Sequence, residues 1–390
     1  MPSWTLAPRV AEIAPFHVME LLRRAHALER AGHDVIHMEV GEPDFPTPEP
    51  IVAAAERFLR SGRVPYTNAA GLPELREAIA HDYTERLGAA VTPEQIVVTA
   101  GASAALTLAL ALTTHPGDEW LLPDPSYPCN RHLIRLFEGH ARLLPVHPET
   151  AFQPTPQAVA EAWTPRTRGL LLASPSNPTG TMITPAQAAA LADVVRAHYG
   201  VLILDEIYQG LTFESPRATL YQTVPDAFLV NSFSKYFGMT GWRLGWLLCP
   251  DAAIAREAEK LAQHLYIAPS TVAQHAALAA FSPETLAILE ARRQAFAERR
   301  ETLLAGLAAL HLTPPAHPQG AFYAYVDIAS LGDDADTWAH RFLEEAYVAV
   351  TPGRDFGEHN AHRYLRFAYT TDADRIAEAC VRIARLLTVG

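Results

Sequence analysis

Seven short apolar runs recur between residues 95 and 250, each ending in turn residues. They are QIVVTAG (95–101), EWLLPDP (119–125), ARLLPV (141–146), GLLLASPSNP (169–178), GVLILDEIY (200–208), AFLVNSFSK (227–235) and LGWLLCP (244–250). Most hold apolar residues at successive positions without polar alternation, the pattern of strands covered on both faces. Helical patterns lie between several of them. Ala102 to Thr113 is one. Another begins at TPAQAAALADVVRAHYG, with Thr184 as N-cap, Pro185 at the first helical position and Gly200 past the end. This alternation predicts an α/β fold: a large domain with a mostly parallel seven-stranded sheet covered by helices.

Past about residue 250 the pattern changes. Residues 251–310 are rich in Ala, Glu, Arg and Leu and predict long helices. GAFYAYVDI (320–328) and HRYLRFAYT (362–370) predict strands of a second sheet. DADTWAHRFLEEAY and DADRIAEACVRIARLL predict helices packed on it. A smaller α+β domain follows. The expected division is a large domain over 45–280, with 1–44 and 281–390 together forming the small one. A further helix is expected at about 15–31.

Composition narrows the function. The chain has 390 residues, 49% of them apolar, enough for two cores. Lys and Arg number 31 against 43 Asp and Glu, a net charge of −12. That balance argues against nucleic acid or an anionic membrane as partner. Cys129, Cys249 and Cys380 are widely spaced and show no C-x-x-C pattern. They fit reduced thiols in a cytoplasmic protein. No secretory signal is read in MPSWTLAPRV, and the longest apolar run, Ala102 to Leu112, is too short to span a bilayer. His33 and His37 have helical spacing but run into a strand pattern, so no metal site is expected.

Polar residues cluster at the carboxyl ends of the apolar runs, where open α/β sheets bind ligands. A lysine at such an edge, Lys235, loses its proton more easily than one in water. Its neutral amine forms Schiff bases with aldehydes. Ser232, Ser234 and Arg243 offer an oxyanion set beside it. In AGAS, the backbone N–H groups of Ala102 and Ser103 open a helix and can cradle a phosphate. Asp205 ends an apolar strand, where a carboxylate needs a cation or donor. Tyr208, Asn177 and Tyr127 add a phenol, an amide and an aromatic face. Singly, these residues also read as a surface lysine, a tight turn, a strand-end cap, a turn residue and loop packing. Together they suggest a phosphate near an amine nucleophile.

The sequence resembles the pyridoxal 5′-phosphate enzymes of fold type I, in the class I/II aminotransferase family of the aspartate aminotransferase superfamily. SFSKYFGMTGWRLGW carries the resemblance, with PSNPTG and DEIY in order, and the matching motifs run from GEPDF to RFAYT. The resemblance implies that Lys235 holds the cofactor as a Schiff base and shuttles protons. It implies that Asp205 pairs with the pyridine nitrogen, that Tyr208 and Asn177 bond the ring's phenolic oxygen, and that Tyr127 stacks on the ring. Ala102, Ser103, Ser232 and Arg243 would hold the phosphate. Tyr66 would reach the phosphate of a neighbouring subunit, which implies a homodimer. Arg366 would clamp the substrate α-carboxylate, with the Gly41 backbone nearby and Asn177 at the substrate as well. The implied reaction moves an amino group between an α-amino acid and a 2-oxo acid, by a ping-pong mechanism. A carbon–sulfur β-lyase on the same fold is the alternative, and a ligand-sensing regulatory module a remoter one. Some relatives devoted to acidic substrates carry lysine where Ser103 stands. The expectation is therefore a neutral or aromatic donor with 2-oxoglutarate as acceptor. Phe16, Val40, Tyr66 and Tyr323 are candidates for an apolar wall.

Overall fold

Strands form where the apolar runs stand. The computed structural model describes residues 5–332 and 334–389. Its strands are β1 (Ile36–His37), β2 (Ile96–Thr99), β3 (Glu119–Asp124), β4 (His140–Pro145), β5 (Thr167–Ala173), β6 (Val201–Asp205), β7 (Phe228–Ser232), β8 (Gly245–Leu248), β9 (Tyr323–Asp327), β10 (Val348–Ala349), β11 (Thr351–Pro352) and β12 (Tyr364–Ala368). The helices are α1 (Val18–Arg30), α2 (Glu49–Arg60), α3 (Pro73–Leu87), α4 (Ala102–Thr113), α5 (Cys129–Leu136), α6 (Pro156–Ala162), α7 (Pro185–Ala197), α8 (Ala252–Tyr266), α9 (Thr271–Ala277), α10 (Pro283–Ala309), α11 (Ala335–Ala346) and α12 (Ala373–Val389).

The large sheet has seven strands in the order β2-β8-β7-β6-β5-β3-β4. β8 runs antiparallel to both its neighbours. The other pairings are parallel. β2, β3, β7 and β8 are buried at every position, which explains their unbroken apolar runs. β4, at the edge, instead exposes His140 and Arg142. In β5, Leu171 packs with Leu106, Leu110 and Ile203 on one face of the sheet. Leu170 and Leu172 pack with Leu191 and Val195 on the other. Successive side chains thus feed two cores, and truncating one such leucine to alanine costs about 2–5 kcal/mol.

α7 starts as the sequence suggests. Thr184 Oγ1 accepts from Gln187 N at 3.2 Å, and Gln187 Oε1 accepts from Thr184 N at 2.9 Å. Its end differs in detail. The chain leaves the helix through Tyr199, which takes the left-handed φ of 53°. Gly200 serves packing: a Cβ there would stand 2.5 Å from the Trp163 ring.

The second sheet is antiparallel, in the order β11-β12-β9. β1 pairs in parallel with β10, so the N-terminal segment joins the C-terminal elements: Ile36 faces Val348. Leu21 and Leu28 of α1 share a core with Phe342, Leu365 and Ile376. Among the described residues no helix is long and apolar enough to cross a membrane.

Candidate active site

The carboxyl ends of β3, β5, β6 and β7 open on a cavity of about 280 Å³. Its wall includes Gly41, Ala102, Ser103, Tyr127, Asn177, Asp205, Tyr208, Lys235 and Arg366. Four strand ends and two strands of the second sheet, through Tyr323 and Arg366, therefore meet at one volume.

Lys235 follows β7, and its Nζ donates to the Gly41 carbonyl at 2.6 Å. Burial lowers its pKa to about 8. Arg366 and Arg243 act in the same direction, and Glu42 opposes them. Asp205, the last residue of β6, is buried. Its Oδ1 accepts from Ile207 N at 3.0 Å. Among the described residues no cation offsets its burial, which pushes its pKa up to about 6. A buried carboxylate without a cation is costly, and the chain keeps it at a strand end in the cavity.

Tyr208 lies one turn beyond Asp205, with its hydroxyl 2.9 Å from that of Tyr323. The Tyr323 oxygen in turn lies against Gly41, where a Cβ would come within 1.9 Å of it. Gly41 is thus required by close approach, and its carbonyl meets the lysine.

Arg366 on β12 donates through Nη1 to Asn177 Oδ1 at 2.9 Å and through Nη2 to the Glu39 carbonyl at 2.5 Å. Its guanidinium lies 4.3 Å from the Tyr323 ring centroid and 4.6 Å from that of Phe356. Its buried Nε has no hydrogen-bond partner. Register explains the stacking: Arg366 stands opposite Tyr325, so Tyr323 is its diagonal neighbour on the same face.

The opposite end of the site gathers at α4. The first-turn N–H groups of a helix have no intrahelical acceptor, which leaves those of Ala102 and Ser103 available. Gly101 before them has φ of 85°, and a Cβ there would stand 2.7 Å from Arg243 Nη2. At Gly245 on β8 a Cβ would likewise stand 3.0 Å from Ala102 N. Arg243 itself adopts φ 54° and donates to the Thr240 carbonyl at 3.0 Å. Ser232 Oγ lies 2.9 Å from both Ser234 Oγ and the Leu244 carbonyl. Helix start, guanidinium and serine pair therefore form a donor-rich corner suited to a phosphate. Neither Arg243, which is exposed, nor Ser232, which is buried, lines the cavity. Tyr66 is also outside the wall and 80% exposed.

The donor set fits pyridoxal phosphate. A cation-less carboxylate, an amine with weakened proton affinity and a phosphate corner face one volume.

Of the expected wall residues, Phe16, Val40 and Tyr323 line the cavity. Sequence reasoning missed Glu39, Phe356, Asp355 and the α1 residues Val18, Met19 and Leu22, which also line it. It also missed the hydroxyl contact of Tyr323 with Tyr208. Period-two alternation in the strands carrying Tyr323 and Arg366 was the available signal. His33 stacks on Tyr347, while His37 pairs with Glu39 and Glu29.

Comparison with known proteins gives one answer throughout. A family model described as aminotransferase class I and II matches residues 33–383. The valine–pyruvate aminotransferase of Mycobacterium tuberculosis is 38% identical over 379 residues, covering 97% of each chain. The aspartate/prephenate aminotransferase of Thermus thermophilus is 37% identical over 385 residues, covering 98% of each. Among solved structures, an aminotransferase from Mycobacterium tuberculosis superposes with a TM-score of 0.95 at 36% identity, covering 100% of both chains.

Proposed function

This chain belongs to the class I and II aminotransferase family and is a pyridoxal phosphate-dependent transaminase; on that premise we propose the following roles for its residues. Bound pyridoxal 5′-phosphate supplies an electron sink for the charge left when the substrate Cα loses its proton. Lys235 anchors the cofactor's aldehyde end and later takes and returns that proton. Its lowered pKa favours the neutral amine needed for both tasks. Asp205 meets the pyridine nitrogen and keeps it protonated. Tyr208 and Asn177 bond the phenolic oxygen, and Tyr127 covers the ring face. Ala102, Ser103, Ser232 and Arg243 hold the phosphate. Arg366 takes the α-carboxylate beside Asn177 and the Gly41 backbone, with its fork pre-oriented by the Glu39 carbonyl.

One observation carries this reading. The cavity holds a lysine of lowered proton affinity, a buried carboxylate without a cation and a guanidinium without a carboxylate. Each lacks a partner that the cofactor or the amino acid would supply. Borohydride reduction of the loaded protein, followed by peptide mass mapping, tests it. The label is expected on Lys235; a label elsewhere overturns the assignment.

The same reading includes a homodimer in which Tyr66 reaches the partner's phosphate. Val64, Leu265 and Ile267 are exposed apolar residues in the segments beside it. Thr271 Oγ1 donates to the Pro65 carbonyl at 2.7 Å and joins those segments. Light scattering at micromolar concentration should give twice the 42.6 kDa chain mass. Residues 45–280 would form the large cofactor-binding domain, and 1–44 with 281–390 the small one. The pairing of Ile36 with Val348 supports that division. Three free cysteines fit a cytoplasmic location.

A further inference from the structure

α1 buries Leu21, Ala25 and Leu28 in the core, and His26 and Glu29 stand three residues apart at exposed positions. β1 follows and sets His37 beside them. The His26 and His37 rings lie 5.8 Å apart, and His37 Nε2 is 3.1 Å from Glu29 Oε1. One possible ligand atom from each of the three residues lies within 4.8 Å of the other two. The sequence pattern singled out His33 as the companion of His37. His33 instead stacks on Tyr347, with ring centroids 4.4 Å apart, and His26 takes its place.

The far side of the His37 ring is held from within the protein. Its Nδ1 lies 2.7 Å from Oε1 of Glu39, which is fully buried. The other Glu39 oxygen is buried without a hydrogen-bond partner. A carboxylate so placed is costly unless the imidazole beside it carries positive charge. Both ring nitrogens face carboxylates, so without a metal the ring holds two protons. A metal ion replaces the one on Nε2 and leaves Nδ1–H donating to Glu39. A buried carboxylate behind an imidazole is the support that metal-ligating histidines use. Ligand atoms of a tetrahedral zinc ion, bound at about 2.0–2.1 Å, stand about 3.3 Å from one another. The spacing of Glu29 and His37 already matches. His26 is exposed and closes the remaining gap by side-chain rotation.

We propose that His26, Glu29 and His37 bind one divalent transition-metal ion of the zinc class, with water completing its coordination. This departs from the expectation of no metal site around His37. Two imidazoles and a carboxylate favour zinc over magnesium or calcium, which take oxygen ligands. The ion joins α1 to β1. Since β1 pairs with β10, it staples the N-terminal helix onto the C-terminal elements. None of the three ligands lines the cofactor cavity, so the site stands apart from the transaminase reading and does not rest on it.

Zinc chloride titrated into the holoenzyme tests it, with binding read by calorimetry and stability by the melting temperature. Magnesium chloride is the control. One zinc ion per chain should bind at this site and raise the melting temperature, because a ligand that binds only the folded form stabilises it. Magnesium at the same concentration should do neither. His26→Ala and Glu29→Gln alter exposed positions, and each should weaken zinc binding by about tenfold or more. Glu39→Gln leaves all three ligands in place and should weaken it by about 10–100-fold. The rise in melting temperature should shrink in the same order. Absence of saturable zinc binding overturns the inference. So does binding that keeps its affinity in both His26→Ala and Glu29→Gln, since that ion sits elsewhere. Magnesium binding as tightly as zinc overturns the class of ion, and unchanged affinity in Glu39→Gln overturns the support given to His37.

Discussion

Arg366 Nη1 lies 2.9 Å from Asn177 Oδ1, joining residues 189 positions apart in the chain. One belongs to a strand of the small antiparallel sheet, the other to the loop after β5. The hydrogen bond closes the cavity between the two sheets and fixes one prong of the guanidinium fork. Two aromatic rings hold its plane.

Arg366→Lys keeps the charge but loses the planar fork and the ring stacking. KM for the amino donor should rise about 10–100-fold with a smaller fall in kcat. Steady-state kinetics with a single donor checks this. An unchanged KM would remove Arg366 from carboxylate binding.

Lys235 has a pKa lowered from 10.5 to about 8 by burial. Cofactor uptake by apo-protein needs the neutral amine, so its rate should climb as pH rises from about 7 to 9 and then level off. For stability, the unfolded chain binds more protons than the folded one between about 8 and 10.5. Stability of the apo form should therefore increase with pH across that window. Lys235→Ala should lose both dependences along with turnover. A flat uptake profile in stopped-flow absorbance would contradict the lowered pKa.

Asp205 has the opposite linkage. Burial raises its pKa from 3.8 to about 6, so the folded form binds more protons than the unfolded between these values. Stability contributed by this group falls as pH rises through that window. Asp205→Asn should thus stabilise apo-protein at pH 7.5, by up to about 2–3 kcal/mol, with the gain vanishing near pH 4. The same variant, loaded with cofactor, should lose turnover by about 100-fold or more. Calorimetric melting of the apo forms and steady-state assays read the two effects separately. An unchanged melting temperature would mean that the carboxylate is not left uncompensated.

His37 sits between Glu39 and Glu29 at 2.7 and 3.1 Å, and its pKa rises from 6.5 to about 9, chiefly through the Glu39 hydrogen bond. Its stabilisation is fully present below pH 6.5 and lost as pH rises through about 9. His37→Gln should destabilise the protein by about 1–2 kcal/mol at pH 6 and by much less at pH 10. Urea unfolding at the two pH values measures the difference.

Gly41→Ala would put a Cβ 1.9 Å from the Tyr323 oxygen, which lies 2.9 Å from that of Tyr208. The tyrosine must shift, at a cost of about 1–3 kcal/mol. Activity should fall by at least about tenfold, since the Lys235 contact with Gly41 moves too. Adding Tyr323→Phe removes the clashing oxygen and should recover part of the melting temperature. No recovery would place the strain elsewhere.

The seven strands of the large sheet stand at the apolar runs, and α4 spans Ala102–Thr113 as the pattern suggests. These features were legible because each is written in neighbouring residues: apolar continuity, a capping threonine, a proline at the first turn. Lys235, Asp205 and Asn177 were legible for the same reason, since strand ends mark them. The antiparallel direction of β8 was not, because a strand's sequence pattern does not record which way its neighbours run. Tyr199 rather than Gly200 takes the left-handed turn after α7, and only the position of Trp163 explains the glycine.

By itself the sequence determined which segments become strands and helices, which family the motifs resemble and which strand ends carry an amine, a carboxylate and an amide. Those properties follow from side-chain chemistry and short-range periodicity. The tertiary structure decided that Arg366 meets Asn177, that Tyr323 packs against Gly41, and that Asp355 holds the start of α1 through the N–H groups of His17 and Val18. Such contacts join residues far apart in the chain. Their closeness comes from packing whole sheets and helices together, and no local pattern encodes it.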